Sequence, residues 1–318
     1  MPLTLPEWPD FGLSDDIRAT LKAALEAGKP AALVTLYAVE GGGPRPPGTQ
    51  MLFAEDLASG FLSGGCVEGD VAGHAARTLE DGEPRWLVYG EGGPWPDIRL
   101  LCGARIELLV EKIEPDDEAA RELLRLWDAR RPATWSTDGR DRSCTEAAPD
   151  APFCAVDQPF RLQRRHDPTP RLAVVGSDPT ALAIASLGAI AGMQTTLIRP
   201  KGPETPPPIP GVAYQRSEPA ASLAQVGIDP WTAVAIATHD SDTDHEALLA
   251  ALPSDAGYIG LLGARRRIPE RLHRLRAAGI TEDQLARLHA PIGLDLGGKS
   301  PWEVAVAVIG QMVAERFA

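Results

Sequence analysis

The sequence predicts an α/β protein in two parts, an N-terminal α/β domain followed by a Rossmann-like domain with a parallel sheet. Three observations carry this. From Arg171 onward, short continuous apolar runs alternate with helix-patterned segments, which is the signature of parallel strands covered on both faces. Before Asp167 strands and helices also occur, but without that regular alternation. Between them, 137–170 is polar, rich in proline and weakly patterned, ending in "QPFRLQRRHDPTP". The domain boundary is therefore placed near Asp167, giving domains 1–167 and 168–318.

In the N-terminal part, Ser14 to Gly28 reads as an amphipathic helix, with Ser14 as N-cap and Asp15 and Asp16 in the first turn, where acids favour the helix dipole. "PAALVTLYAVEG" reads as a strand, and "MLFA" with "GFLSGG" as a hairpin around "EDLAS". Val67 to Leu79 is patterned as a helix, opened by Glu68 and Asp70 and closed by Asp81-Gly82. "ARIELLVEKI" alternates as a strand, and Asp116 to Arg131 reads as a further helix.

In the C-terminal part, "RLAVVG", "QTTLIRP", "WTAVAIAT" and "AGYIGLLG" are the apolar strands. Helices are predicted over "PTALAIASLGAIAG", from Asp242, and over "ARRRIPERLHRLRAAG", with "KGPETPPPIPG" as a loop. The last helix begins at "SPWE", where Ser300 caps, Pro301 takes the first helical position and Glu303 completes a capping box.

Composition narrows the function. With 44% hydrophobic residues the chain can bury a sizeable core, yet no run approaches the roughly 18 apolar residues of a membrane helix. The acidic, proline-broken start lacks the features of a secretory signal, so a cytoplasmic location is expected. A net charge of -13 argues against nucleic acid as a bulk partner. The four cysteines, Cys66, Cys102, Cys144 and Cys154, form no CxxC pair. Cys144 and Cys154 read as packing residues, whereas Cys66 and Cys102 stand beside glycines.

Several stretches carry candidate chemistry. "GGGPRPPGTQ" and "SGGCVEGDV" spend many residues on backbone irregularity, and Cys66 stands just before a predicted helix, a place that raises the thiolate fraction of a thiol. Gly176 to Ala181 occupies the place of a G-x-G-x-x-G dinucleotide turn, but its second glycine is Asp178. Asp178 is placed to cap the helix itself and would repel a pyrophosphate. Arg199 stands where a ribose-binding acid is usual and suits a 2′-phosphate; NAD(P) binding is nonetheless expected to be weak. Gly263, Arg265 and Arg266 combine a glycine turn, a predicted helix start and guanidinium groups, an arrangement suited to an anion. "THDSDTDHE" offers His239, Asp240, Asp242, Asp244 and His245, either as helix caps or as ligands of a divalent metal. His289 and Asp295, in "LHAPIGLDLGG", are candidates to line the same crevice.

"GGGPRPPGTQMLF", "SGGCVEGDV", "LCGARIELLVE", "YIGLLGARRR" and "LHAPIGLDLGGKSPWEVAVAVIGQMVAE" together resemble the xanthine dehydrogenase accessory proteins of the XdhC/CoxI type, in the expected order and over most of the chain. The resemblance implies a molybdenum cofactor-binding maturation factor, a chaperone more than a turnover enzyme, that supports sulfuration of the cofactor and its insertion into xanthine dehydrogenase or a related molybdenum hydroxylase. It implies an apo-hydroxylase and a cysteine desulfurase as partners and a homo-oligomer, such as a homodimer. Cys66 and Cys102 match the family's two cysteine motifs, and Arg45 its PRPPG turn. The sequence departs from the family at Gly176–Ala181, where relatives carry a G-A-G-H-like turn, and in having "CGA" for "CGG". On this reading Arg45 and the Gly64-Gly65 turn offer donors to a pterin phosphate, and the Cys66 thiol suits the soft metal–sulfur end, with molybdenum as the metal it would meet. An NADP-dependent oxidoreductase working through the C-terminal domain is the alternative.

Overall fold

The structure is a computed structural model that describes residues 3, 5–43, 45–55, 57–91, 93, 100 and 103–316. The chain divides into two compact units, Met1–Pro168 and Thr169–Ala318.

The first unit holds α1 (Arg18–Glu26), β1 (Ala31–Glu40), β2 (Gln50–Ala54), β3 (Leu57–Gly60), α2 (Glu68–Asp81), β4 (Arg85–Tyr89), β5 (Arg105–Ile113), α3 (Glu118–Asp128), β6 (Ala133–Thr137), β7 (Arg142–Glu146), β8 (Cys154–Asp157) and β9 (Arg161–His166). A five-stranded antiparallel sheet runs in the order β3-β2-β1-β5-β4. Its central strand explains why "AALVTL" is apolar without alternation, because both faces are covered. Ala32, Val34 and Leu36 join the core beneath α2, and Ala31 and Leu33 join the core shared with α1, α3 and Trp135. Gly82 ends α2 in the left-handed conformation, as the Asp81-Gly82 pair predicts.

Three expectations change here. The first helix starts at Arg18, and Ile17 in the cap position makes no side-chain cap bond. Ser14 turns its hydroxyl to the Asp16 carbonyl, while Asp16 accepts from the Arg18 backbone and guanidinium. The hairpin is tighter than expected, since Leu57–Gly60, partly read as its turn, pairs with Met51–Ala54. The largest difference is 137–170, which forms much of a second antiparallel sheet, β7-β6-β9-β8. Strands such as Arg142–Glu146 are half-exposed and polar on both faces, so they carry no alternation to read.

That second sheet buries His166 at 3% exposure. Burial first, and then the Arg164 and Arg18 charges, hold its imidazole well below the usual histidine range. His74, on α2, is lowered too, by burial and then by Arg77. The folded state therefore takes up these protons later than the unfolded chain does. Their contribution to stability is fully present above the unfolded value of about 6.5 and is lost as pH falls through the folded values. The first unit should lose stability below pH ~6.5 by up to about 1.4 kcal/mol per pH unit for each proton. Denaturant melts from pH 7.5 to 5 check this, and His166→Gln should flatten the slope by one proton.

The second unit holds β10 (Arg171–Gly176), α4 (Pro179–Ile190), β11 (Gln194–Ile198), β12 (Val212–Gln215), α5 (Pro219–Val226), β13 (Thr232–Ala237), α6 (Ser241–Ala251), β14 (Tyr258–Leu261), α7 (Ile268–Ala277), α8 (Glu282–Ala286), β15 (Leu288–His289) and α9 (Pro301–Arg316). All six strands are parallel, in the order β12-β11-β10-β13-β14-β15. Counted within the unit this is 3-2-1-4-5-6, the Rossmann order, with the order reversing between β10 and β13. Leu172 and Val174 pack towards α4 and α9, and Ala173 and Val175 towards α5, α6 and α7. The capping box before α9 forms as predicted: Ser300 N–H donates to Glu303 and Glu303 N–H to the Ser300 hydroxyl.

Candidate functional site

In the first unit the site candidates lie where β3 leaves the sheet. Gly60 ends the strand at φ +88°, and Phe61 lies against Gly12. The loop Leu62–Val67 then leads into α2. Gly64 and Gly65 take φ values of +103° and +92°, with open space where a side chain would stand. Glycine is therefore required by backbone conformation and not by crowding. Cys66 is exposed and its thiol is free.

The loop is organised from below by Glu68, only 3% exposed. Its Oε1 accepts from the backbone N–H of Leu62 (3.0 Å) and Ser63 (2.7 Å). Its Oε2 accepts from the Ser63 hydroxyl (2.7 Å) and from the N–H of Gly65 (3.0 Å) and Val67 (3.3 Å). Ser63 Oγ in turn accepts from Cys66 and Val67 N–H, at 3.1 and 3.2 Å. Sequence reasoning placed Glu68 in the opening turn of a helix and missed this role. The readable signal is an acid three residues after a glycine pair, where positive-φ turns leave several N–H groups without partners. Of the Gly64-Gly65 donors read as a phosphate cradle, the Gly65 N–H already donates to a carboxylate within the chain.

Among the other thiols, Cys144 is half-buried and burial, followed by Glu122, pushes its thiol up to about 12. Burial also raises Cys154. Both fit the packing role read from sequence. Cys102 lies outside the described residues. Arg45 of the PRPPG turn is paired within the chain, its Nη2 donating to Asp15 at 2.5 Å. Its Nε is buried without a hydrogen-bond partner among the described residues. Just past this turn, Gly48 is held by Arg164, whose Nε donates to the Gly48 carbonyl at 2.9 Å.

In the second unit the crevice at the reversal of strand order is crossed by a side-chain contact between Asp178 and His239. Asp178 caps α4, as predicted, its Oδ1 accepting from Ala181 N–H at 2.8 Å. Its Oδ2 lies 3.0 Å from His239 Nε2, which comes from the end of β13. Gly176 is forced by close approach, since a Cβ there would stand 2.5 Å from Ala181 Cβ and from the Ala237 carbonyl.

The acidic run after β13 is spent on structure. Asp240 caps α6, Asp242 pairs with Arg274, and Asp244 accepts from Thr238 and Arg271. Among the described residues no group of three or more His, Cys, Asp or Glu has an arrangement that would hold a metal ion. The divalent-metal reading of His239 to His245 is thereby corrected, because each carboxylate has a nearer cationic or backbone partner.

Past β14, Gly263 leads into a single 3₁₀ turn, Arg265–Arg267, and α7 begins only at Ile268. Arg265 and Arg266 thus precede the helix and do not open it, a second correction. Arg265 pairs with Asp295 at 3.0 Å, both well exposed, so the pair is weak and its guanidinium can be recruited. His289 stacks on Tyr258, with centroids 4.6 Å apart and planes 11° apart. Gln311 braces this corner, accepting from Tyr258 Oη at 2.6 Å and from Gly293 N–H at 2.7 Å. His289 is thus packed against Tyr258 and Gln311.

Comparison with known proteins agrees with both units. Residues 24–90 match the model of the XdhC and CoxI family, and residues 172–312 that of the XdhC Rossmann domain. The chain is 32% identical over 313 residues to a protein of Escherichia coli (strain K12) named as the molybdenum cofactor insertion chaperone PaoD, covering 96% of this chain and 90% of that one. It is 26% identical to a protein of Bacillus subtilis (strain 168) named as a probable subunit of xanthine dehydrogenase, covering 93% and 96%. A crystal structure described as a xanthine dehydrogenase from Bacillus halodurans shares the fold, with a TM-score of 0.75 at 24% identity over 94% of this chain and 95% of the other. With a relative more than 30% identical along nearly its whole length and family matches in both units, this chain belongs to the XdhC and CoxI family.

Proposed function

We propose that this protein binds the molybdenum cofactor as cargo and supports its maturation and insertion into a xanthine dehydrogenase-type molybdoenzyme, including the sulfuration step. The observation that carries the reading is Cys66: an exposed, free thiol held on a loop whose backbone is already bound from within. A soft thiolate suits the metal–sulfur end of the cargo. The residues fit that cargo unevenly. Arg45 is paired with Asp15, whereas Arg265 and Arg266 stand in an exposed turn where the partner of Arg265 among the described residues is the exposed Asp295. We assign anion binding to Arg265 and Arg266 as a separate candidate within the second unit, after Gly263 and with Asp295 paired to Arg265 and His289 on β15, and we keep Cys102 as a second candidate thiol on its family motif. A cysteine desulfurase, the apo-hydroxylase and a second copy of the chain are the proposed partners, in the cytoplasm; among the described residues no helix is long and apolar enough to cross a membrane. Protein made in a cofactor-producing host should carry molybdenum and a heat-released pterin in comparable amounts. Neither being present above a non-binding control would sink the proposal.

The strand order of the second unit favours one other reading, an NADP-dependent oxidoreductase. Asp178 opposes it by placing a carboxylate where the pyrophosphate would sit, already engaged by Ala181 and His239. Calorimetry with NAD and NADPH should show no binding as tight as about 1 μM, or roughly −8 kcal/mol. Binding at that strength would move the functional centre to the second unit.

A further inference from the structure

The geometry points to Glu68 as the positioning residue of the cargo site, holding the Ser63–Cys66 loop in its receptive shape without touching the cargo itself. The inference rests on the reading of Cys66 as a cargo-binding residue. A helix-dipole role would need one carboxylate oxygen near the first turn of α2. Instead, both oxygens are spent on the loop that precedes the helix, and they take up four backbone donors and one hydroxyl. The donors come from both ends of the loop, Leu62 and Ser63 on one side and Gly65 and Val67 on the other. A single planar group therefore sets the distance between them. Ser63 extends this control to Cys66, donating to Glu68 Oε2 while its oxygen accepts the Cys66 N–H. Gly64 and Gly65 then form the arch over the carboxylate, in conformations that only glycine adopts easily. Burial at 3% keeps water from competing for the same donors.

Two substitutions separate position from charge. Glu68→Gln keeps the length but replaces one oxygen by an amide nitrogen, which cannot accept from N–H groups. Glu68→Asp keeps the charge but falls one methylene short of spanning the loop. Ser63→Ala is a gentler third variant that removes the hydroxyl's links to Glu68, Cys66 and Val67 and leaves the carboxylate's own backbone contacts in place. In cargo-free protein, amide exchange at Gly65 and Val67 should quicken by about tenfold or more in both Glu68 variants, while exchange in β1 and β5 stays slow. Cofactor content should fall at least about threefold in Glu68→Asp and Glu68→Gln, and by less in Ser63→Ala, once a soluble fraction with native β1 and β5 protection is isolated. Unchanged exchange in the Glu68 variants would overturn the inference. So would faster exchange with normal cofactor content, and in that case Cys66→Ser decides what else fails. If Cys66→Ser lowers the cofactor, the cargo reading survives and only the positioning role is lost; if it does not, both are wrong. Should neither Glu68 variant fold, Ser63→Ala alone decides, and wild-type cofactor content in it overturns the inference.

Discussion

Replacing Cys66 by serine should lower molybdenum and pterin content about tenfold at limiting cofactor, equivalent to about 1.4 kcal/mol of binding. The melting temperature should move by no more than about 2 °C, because the side chain is exposed and the change is the size of a surface substitution. Serine keeps the shape and the hydrogen-bonding capacity but is a hard, protonated oxygen at neutral pH. The variant therefore tests sulfur chemistry and not loop structure. Cys144→Ser is the internal control: its thiol is half-buried and held up to about 12, so it is not a thiolate at neutral pH. Cofactor content should not change in that variant. Metal analysis and pterin fluorescence of the two proteins, purified side by side, give the comparison. Equal loss in both, or in neither, removes Cys66 from the site.

The largest effect on stability is expected at Gly60→Ala. A Cβ at this position would stand 2.2 Å from the Gln50 carbonyl oxygen and 2.9 Å from Met51 Cα, both backbone atoms of the neighbouring strand. The residue also sits at φ +88°, where L-residues are strained. Strain alone costs about 1–3 kcal/mol, and the backbone overlap adds a displacement of β2. We expect a loss of about 3 kcal/mol or more, enough to leave the first unit largely unfolded at 37 °C. Circular dichroism melts and the yield of soluble protein check it. A variant that melts within a few degrees of the parent would show that β2 and β3 separate more easily than this register implies. Cofactor content would fall in the same variant through unfolding, which is why Gly60 is a test of the fold and Cys66 a test of the chemistry.

The parallel sheet was legible because its strands are buried on both faces. "RLAVVG" and "WTAVAIAT" have no polar alternation to confuse them with edge strands, and each is followed by a helix start. The second sheet of the first unit was not legible, for the opposite reason. Arg161–His166 carries three arginines, and its apolar and polar residues do not sort by face. Its pairing with β6 depends on partners nearly 30 positions away that a local window does not contain. Within the site, the glycine pair was readable as backbone irregularity, Cys66 from its place before a predicted helix, and Asp178 as a cap from its place before Pro179. The Asp178–His239 contact was not, because it joins residues 61 positions apart and exists only once β10 and β13 are known to be neighbours. Glu68 lies between these cases: its location near a helix start was visible, but its direction was not.

A loop whose N–H groups at Leu62, Ser63, Gly65, Cys66 and Val67 are already satisfied has little freedom left to lose when a ligand arrives. Uptake of cargo then carries almost no ordering entropy, and release recovers almost none. In the proposed cargo role, this loop supplies no internal spring to drive the hand-off. The direction of transfer is set by the difference in affinity between donor and acceptor proteins, and its speed by how far the acceptor lowers the dissociation barrier. The exchange should therefore resemble ligand passing between two preformed sites, with a transfer rate that rises with acceptor concentration instead of levelling at a slow conformational step.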